Sequence, residues 1–174
     1  MIQIRQLSAQ DRGQIPRLAE ILIDCVDGGA SVSFLAPLSQ EKALRFFDQV
    51  FHEIETGVRL LLVASTDGIL VGTVQAVVGL AENQPHRAEI SKLLVHRKAR
   101  GQGVASALME AIERAAAQAG KTLLVLDTAV GGGAESLYDR LGYTRTGMIP
   151  GFALMPDGTP CGTAIYWKAI AYSA

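Results

Sequence analysis

Apolar and polar positions follow two periods along the chain, and each change of period marks an element. IQIRQL (2–7) alternates residue by residue, as a strand with one buried face does. In IPRLAEILIDCV the period lengthens, and Ile15, Leu18, Leu22 and Val26 fall on one helical stripe. Pro16 suits the first turn of that helix, and Gly28 and Gly29 give it a C-terminal stop. A second helix is predicted from about Ser39 to Glu55, with Ser39 as N-cap and Leu44, Phe47, Phe51 and Ile54 facing inward. RLLLVAST (59–66) and ILVGTVQAVVG (69–79) flank Asp67-Gly68, which reads as a hairpin. RAEISKLLV (87–95) is a further strand.

A third helix, Gly103 to Gln118, is expected to turn Val104, Leu108, Ala111, Ile112, Ala115 and Ala119 inward before Gly120 ends it. TLLVLDT (122–128) is apolar on both faces, which suits a central strand. Gly131 to Gly133 form a loop before a helix from Ala134 to Leu141. Two last strands, about 144–153 and 163–170, join through the turn at Pro156-Asp157-Gly158. The order β-α-α-β-β-β-α-β-α-β-β predicts one α/β (α+β) domain over residues 1–174, with a mixed sheet of about seven strands, helices on its faces and a central βαβ crossover.

Composition narrows the class. A hydrophobic fraction of 49% and a mean hydropathy of +0.24 over 174 residues suit a folded globule with a sizeable core. A net charge of −1 supplies no field to gather nucleic acid or an anionic membrane, so neither is expected as a partner. The longest apolar stretch, 68–81, carries Thr73, Gln75 and three glycines, and is too short to span a bilayer. MIQIRQLSAQ contains no secretory apolar region, and Cys25 and Cys161 show no metal-type spacing, so a cytoplasmic protein with two small buried thiols and no metal is expected. His52, His86 and His96 form no cluster and read as surface residues.

The chemistry concentrates at VHRKARGQGVASAL (95–108). Unpaired N–H groups at a helix start, with glycines that let a ligand near the main chain, suit a phosphate or pyrophosphate. A nucleotide-hydrolase loop is excluded by the missing Gly-Lys-Ser/Thr ending. A dinucleotide fingerprint fits poorly, because HRKAR separates the strand from Gly101 and Ser106 stands at the third small position. From the residues alone, a plain helix start, a dinucleotide and another pyrophosphate carrier stay open.

Leu93-Leu94-Val95 followed by Arg100-Gly101-Gln102-Gly103-Val104-Ala105 resembles the acetyl-CoA-binding motif of the GCN5-related N-acetyltransferase (GNAT) family. AESLYDRLGY (134–143) is similar to that family's second signature, a helix carrying a tyrosine and ending in glycine and an aromatic residue. The resemblance covers essentially the whole chain and implies a mixed, largely antiparallel sheet. DGGASVSFL (27–35), RAEISKLLV (87–95), LDT (126–128) and IPGFALMPDG with TAIYWK (149–168) resemble the family's tabtoxin-resistance branch, which acetylates a small amino-acid-like toxin.

The resemblance implies acetyl-CoA as acetyl donor, no metal, and a small amine, amino-acid-like or a toxin or antibiotic, as acceptor. A peptide or protein acceptor and a non-catalytic acetyl-CoA sensor are the alternatives, and monomer and homodimer both stay open. It also implies that strand 87–95 and its neighbour 122–128 splay apart. Main chain at Leu93, Leu94 and Val95 would then hold the pantetheine. N–H groups of Arg100, Gly101, Gln102, Gly103, Val104 and Ala105 would hold the diphosphate, with the Arg100 side chain either on the diphosphate or in solvent. Arg97 and Lys98 are expected in solvent or near the ribose phosphate.

Acetyl transfer to an amine needs a group to take the ammonium proton and benefits from one to protonate the departing thiolate. Glu89 is placed by alternation on one face with Ser91, Leu93 and Val95, and Asp127 ends the neighbouring strand. Both match acidic positions of the tabtoxin-resistance branch, which implies a two-carboxylate relay. The structural alternatives are an ion pair of Glu89 with Arg87 or Lys92, and capping of the 128–133 loop by Asp127. Tyr138 is the candidate acid or a packing residue, and Tyr143 reads as structural. Ser31, Ser33 and Phe34 are the candidate acceptor wall, with Pro150-Gly151-Phe152 and Thr163 to Trp167 opposite.

Overall fold

Asp67 and Gly68 both adopt positive φ, 51° and 78°, and so close the predicted hairpin between β2 (Arg59–Thr66) and β3 (Ile69–Val77). The computed structural model describes residues 1–171. Around that hairpin lie β1 (Ile2–Gln6), α1 (Ile15–Asp27), α2 (Gln40–Glu55), β4 (Arg87–Val95), α3 (Val104–Gln118), β5 (Leu123–Ala129), α4 (Glu135–Arg140), β6 (Thr144–Leu154) and β7 (Pro160–Ala169). Ser39 caps α2 as expected, its hydroxyl accepting the Lys42 N–H at 3.2 Å. Two 3-10 segments, Ala9–Gln14 and Arg97–Ala99, carry no periodic apolar pattern and were not anticipated.

The strands form one open sheet in the order β1-β2-β3-β4-β5-β7-β6. Of its pairings, β4 with β5 is parallel and the other five are antiparallel. A parallel pair needs a crossover, and α3 supplies it. This is the mixed, largely antiparallel sheet with a central βαβ unit that the element order and the resemblance imply.

Each face of the sheet carries its own core. On one face Leu108, Met109 and Ile112 of α3 and Tyr138 of α4 pack on Val74, Ile90, Leu124, Leu126 and Tyr166. On the other, Leu18 and Leu22 of α1 and Phe47 and Phe51 of α2 pack on Leu61, Val63 and Leu94. Each such fully buried side chain contributes about 1.5–3 kcal/mol. Gly72 lets α3 approach β3, since a Cβ there would lie 2.9 Å from the Leu94 carbonyl and 3.1 Å from the Leu108 side chain.

Two sequence expectations about burial are corrected. Ala119 is exposed because α3 ends at Gln118 and the chain is already turning away, so Ala116 and Ala117 take the inner positions. Cys25 is buried, but Cys161 is half-buried at the edge of a cleft, with its sulfur 3.8 Å from the Ser31 hydroxyl. Among the described residues no helix is long and apolar enough to cross a membrane, and no three His, Cys, Asp or Glu side chains come together as a metal-binding group.

Candidate active site

The site begins with an irregularity in β4. Gln75 pairs with Ser91 and Thr73 with Leu94, so Lys92 and Leu93 together oppose the single residue Val74. Lys92 takes φ 52° to make this bulge. A bulge of one residue exchanges the faces of everything beyond it. Ala88 and Ile90 therefore point into the α3 core, whereas Leu94 points into the α1–α2 core, and Leu93 and Val95 pack toward α3. Strict alternation put Glu89 on one face with Ser91, Leu93 and Val95. The bulge corrects this: Glu89 and Ser91 face the α1–α2 side, opposite Leu93 and Val95.

Past Glu89, β4 and β5 separate. Their parallel register holds only from Arg87–Leu123 to Glu89–Val125. The V-shaped gap opens at the C-terminal ends of both strands. One arm is a cleft of about 540 Å³ lined by Leu93, Leu94, Val95, Arg100, Gly101, Gly103, Val104 and Ala105, with α4 residues opposite. Eight of the nine residues expected at the cofactor thus line one space. The ninth, Gln102, turns its side chain back and donates to the Lys98 carbonyl at 3.1 Å.

Gly101 and Gly103 have φ 75° and 83°, and the space where a Cβ would stand at either is open. Among the described residues, the N–H groups from Gly101 to Ala105 find no backbone acceptor. They form an array of free donors at the start of a 15-residue helix, which suits a diphosphate. Arg100 is exposed and donates its Nε to the Val95 carbonyl at 3.1 Å. The turn before the glycines is anchored from α1: Asp24 accepts the Arg97 N–H at 2.8 Å and its Nε at 2.9 Å. Burial pulls the Asp24 carboxyl up, but the Arg97 hydrogen bonds outweigh it and the pKa lies below its ordinary value. Arg97 is therefore tied to Asp24 while its side chain stays exposed to solvent, as expected. His96, half-buried with Nε2 3.6 Å from Asp24, belongs to the same anchor and is not a plain surface residue.

The other arm of the gap is smaller. A cleft of about 210 Å³ is lined by Ser31, Ser33, Ser91, Lys92, Asp127 and Tyr138 among others. It shares Ala30, Leu93, Gly132 and Ala134 with the larger cleft, so the two meet there. An adjoining space of about 300 Å³ is bounded by Ser31, Ser33, Phe34, Asp127, Phe152 and Thr163. Phe152 gets there through a second irregularity: Ile149 pairs with Thr163 and Ala153 with Cys161, so Pro150, Gly151 and Phe152 bulge opposite Gly162 alone. The Ser31 hydroxyl donates to the Leu154 carbonyl at 3.1 Å and the Ala36 N–H to the Pro156 carbonyl at 2.8 Å, fastening the 28–38 loop to the β6–β7 hairpin.

Asp127 is exposed to this cleft; it does not end its strand as expected, since β5 runs two residues further, paired with β7 to Ala129. Tyr138 is 6% exposed and belongs to an aromatic cluster, its ring centroid 5.8 Å from Tyr143 and 5.7 Å from Tyr166. Burial first, then the charge of Asp127 and the neighbouring Tyr166, push its phenol up to about 12. The group is thus a packed side chain and a retained proton at once. Tyr143 is buried in the same cluster, consistent with a structural role. Glu89 does not line the cleft. It is exposed and ion-paired with Arg87 at 2.9 Å, beside Val125, one side-chain step along β5 from Asp127.

Sequence reasoning passed over Lys92 as anything but a partner for Glu89. Its Nζ instead donates to the Ser33 hydroxyl at 2.9 Å and lies 5.9 Å from the centre of the Phe46 ring. No sequence signal marks the bulge that sends it there.

The acetyltransferase (GNAT) family model matches residues 20–143. Among solved structures, ribosomal-protein-alanine N-acetyltransferase from Brucella melitensis aligns over 97% of this chain and 99% of its own, at 20% identity and a TM-score of 0.82. A phosphinothricin acetyltransferase from Sinorhizobium meliloti, solved with acetyl-CoA, aligns over 98% and 89% at 19% identity and a TM-score of 0.80. The yncA protein of Salmonella typhimurium, solved with its cofactor acetyl-CoA, aligns over 99% and 96% at 19% identity and a TM-score of 0.80. At such identities the likeness is one of fold.

Proposed function

Because the chain belongs to the acetyltransferase (GNAT) family, we propose that it transfers the acetyl group of acetyl-CoA to the amine of a small, amino-acid-like acceptor, toxins and antibiotics of that type included. The observation that carries this reading is the meeting of two unlike clefts at Leu93 and Ala134, with Asp127 and Tyr138 lining the smaller. The larger cleft offers free N–H groups and glycines to a diphosphate. The smaller has room for a compact amine and is bounded by the 28–38 loop and the Phe152 bulge.

Acetyl-CoA supplies an activated thioester. The chain's own residues do the rest. N–H groups from Gly101 to Ala105 bind the diphosphate and fix the donor's depth. Beyond Glu89, β4 has no β5 partner, so main chain at Leu93 to Val95, apart from the Val95 carbonyl that accepts from Arg100, can hold the pantetheine and polarise the thioester carbonyl. An amine acceptor arrives protonated at neutral pH, since amines titrate near ~8–10. Asp127 takes that proton and passes it to solvent, leaving the nitrogen lone pair to attack; as the C–N bond forms and the C–S bond breaks, Asp127 takes the second nitrogen proton. Glu89 reaches the same amine only through intervening water. Tyr138, whose phenol keeps its proton, gives it to the departing sulfur at the junction of the clefts. Holding amine and thioester together supplies much of the remaining acceleration.

Thiol release from acetyl-CoA, measured with amino acids, amine antibiotics and short peptides as acceptors, tests the assignment. Release with small amines and none with peptides is expected. Release with peptides alone would move the acceptor to a protein or peptide terminus. Calorimetry showing no heat with coenzyme A would overturn the donor site itself.

A further inference from the structure

We propose that Lys92 is the specificity-determining residue of the acceptor cleft: with Ser33 it holds a carboxylate next to the reacting amine. The inference rests on the reading of the smaller cleft as the acceptor site.

A non-glycine residue in the left-handed region costs about 1–2 kcal/mol. Lys92 bears that cost at φ 52°, and the result is a side chain that leaves the sheet ladder toward the α1–α2 side, over the Phe46 ring. Lys92 lines the cleft with Asp127, its ammonium held at Ser33, another lining residue. An ammonium has three donors. Among the described residues Lys92 uses one, to the Ser33 hydroxyl at 2.9 Å, and forms no ion pair. The neighbouring cation is not in the same position, because Arg59 is held by Glu53 and by the Gln75 side-chain oxygen. Lys92 is therefore a half-buried charge with two donors to spare. Burial, and then Arg59, lower its pKa, while Asp127 acts in the opposite direction. An anion in the cleft would satisfy it.

Ser33 completes the subsite. Its oxygen accepts from Lys92, which leaves its own O–H free to donate. It too sits at positive φ, 74°, in the loop fastened to the β6–β7 hairpin, so both donors are presented from fixed backbone. Asp127 and Lys92 thus give one small cleft opposite charges. A zwitterion fits them in one sense only: ammonium to Asp127, carboxylate to Lys92 and Ser33. A simple amine would leave Lys92 unpaired, and a peptide acceptor would put an amide where the carboxylate should be.

The test compares each of the twenty L-amino acids with its amide and its decarboxylated amine as acceptors, by thiol release. The native enzyme should prefer the free acid of its best substrate by at least about tenfold in kcat/KM. Lys92→Met should lower kcat/KM for that acid by ~30-fold, the scale of a charged hydrogen bond, and so collapse the preference. Lys92→Arg should restore part of it, and Ser33→Ala should lower it by a few fold. Acetyl-CoA affinity by calorimetry reports that each variant is folded. Lys92→Met that retains the native preference, or that lowers amine and acid equally with acetyl-CoA affinity intact, overturns the proposal. So does a native enzyme that acetylates amines and amides as well as acids, although the acetyltransferase reading then stands. Loss of acetyl-CoA binding in the native chain would instead sink the site assignment as a whole.

Discussion

The two arms of the β4–β5 gap are built from different material. The donor arm is mostly backbone: one run of chain, 93–106, supplies about half of its lining, and its chemistry is carried by N–H groups and by glycines that keep side chains away. The acceptor arm is mostly side chain. Ser33 comes from the loop after α1, Lys92 from a bulge, Asp127 from β5, Tyr138 from α4 and Phe152 from β6. A site made of main chain recognises a constant part of a ligand, because amides are the same whatever residues carry them. A site made of side chains can be retuned one residue at a time. The division suits the proposed function, in which one donor meets an acceptor read by side chains.

The contrast can be broken by exchanging effects between the arms. The largest effect is expected from Asp127→Asn, which should lower turnover by ~10²–10⁴ while acetyl-CoA affinity by calorimetry changes little. Glu89→Gln, farther off and already paired with Arg87, should cost less than about a tenth of that; equal losses in the two variants would restore a two-carboxylate relay on equal terms. Next comes Gly103→Val in the donor arm. Its Cβ meets no protein atom, but φ 83° disfavours any side chain, and the methyls enter the diphosphate space. Acetyl-CoA should bind about 10- to 100-fold more weakly, with the ranking of acceptors unchanged. A changed ranking would show that the arms are coupled.

The smallest effect is expected from Tyr138→Phe, about tenfold or less in turnover at neutral pH, because a thiolate leaves readily even without a proton. Its sharper signature is in stability. An unfolded tyrosine ionises near ~10, whereas the buried Tyr138 phenol does so at about 12. Its contribution is therefore fully present below pH 10 and is lost as pH rises toward 12, by roughly 2–3 kcal/mol for a shift of this size. Denaturant titrations from pH 9 upward should show a shallower alkaline loss in Tyr138→Phe than in the native chain. Tyr143, also shifted upward by burial and Glu113, keeps part of the slope. Identical slopes would mean that Tyr138 opens to solvent and cannot be the retained proton.

The element order, the Asp67-Gly68 hairpin, the Ser39 cap and the glycine-led helix were all legible, because each rests on interactions within a few residues. That residues 93–95 and 100–105 converge on one cleft was legible for the same reason: a contiguous loop carries its own geometry. Only the Gln102 side chain, which turns back to the Lys98 carbonyl, lay outside what a main-chain motif can say. The acceptor arm was legible only in pieces. Ser31, Ser33, Phe34, Asp127 and Tyr138 do converge, yet the two bulges that complete the pocket have no sequence mark, and alternation ran straight through Lys92.

What the sequence determined by itself was local: periods, caps, turns and the donor array at the head of α3, each set by sterics and hydrogen bonding over a turn or two of chain. Which carboxylate lines the smaller cleft, and that a lysine lines it too, only the tertiary structure decided. One inserted residue in β4 exchanges every face beyond it, and the partners that fix it, Val74 on the next strand and Ser33 in the loop after α1, are distant in the chain.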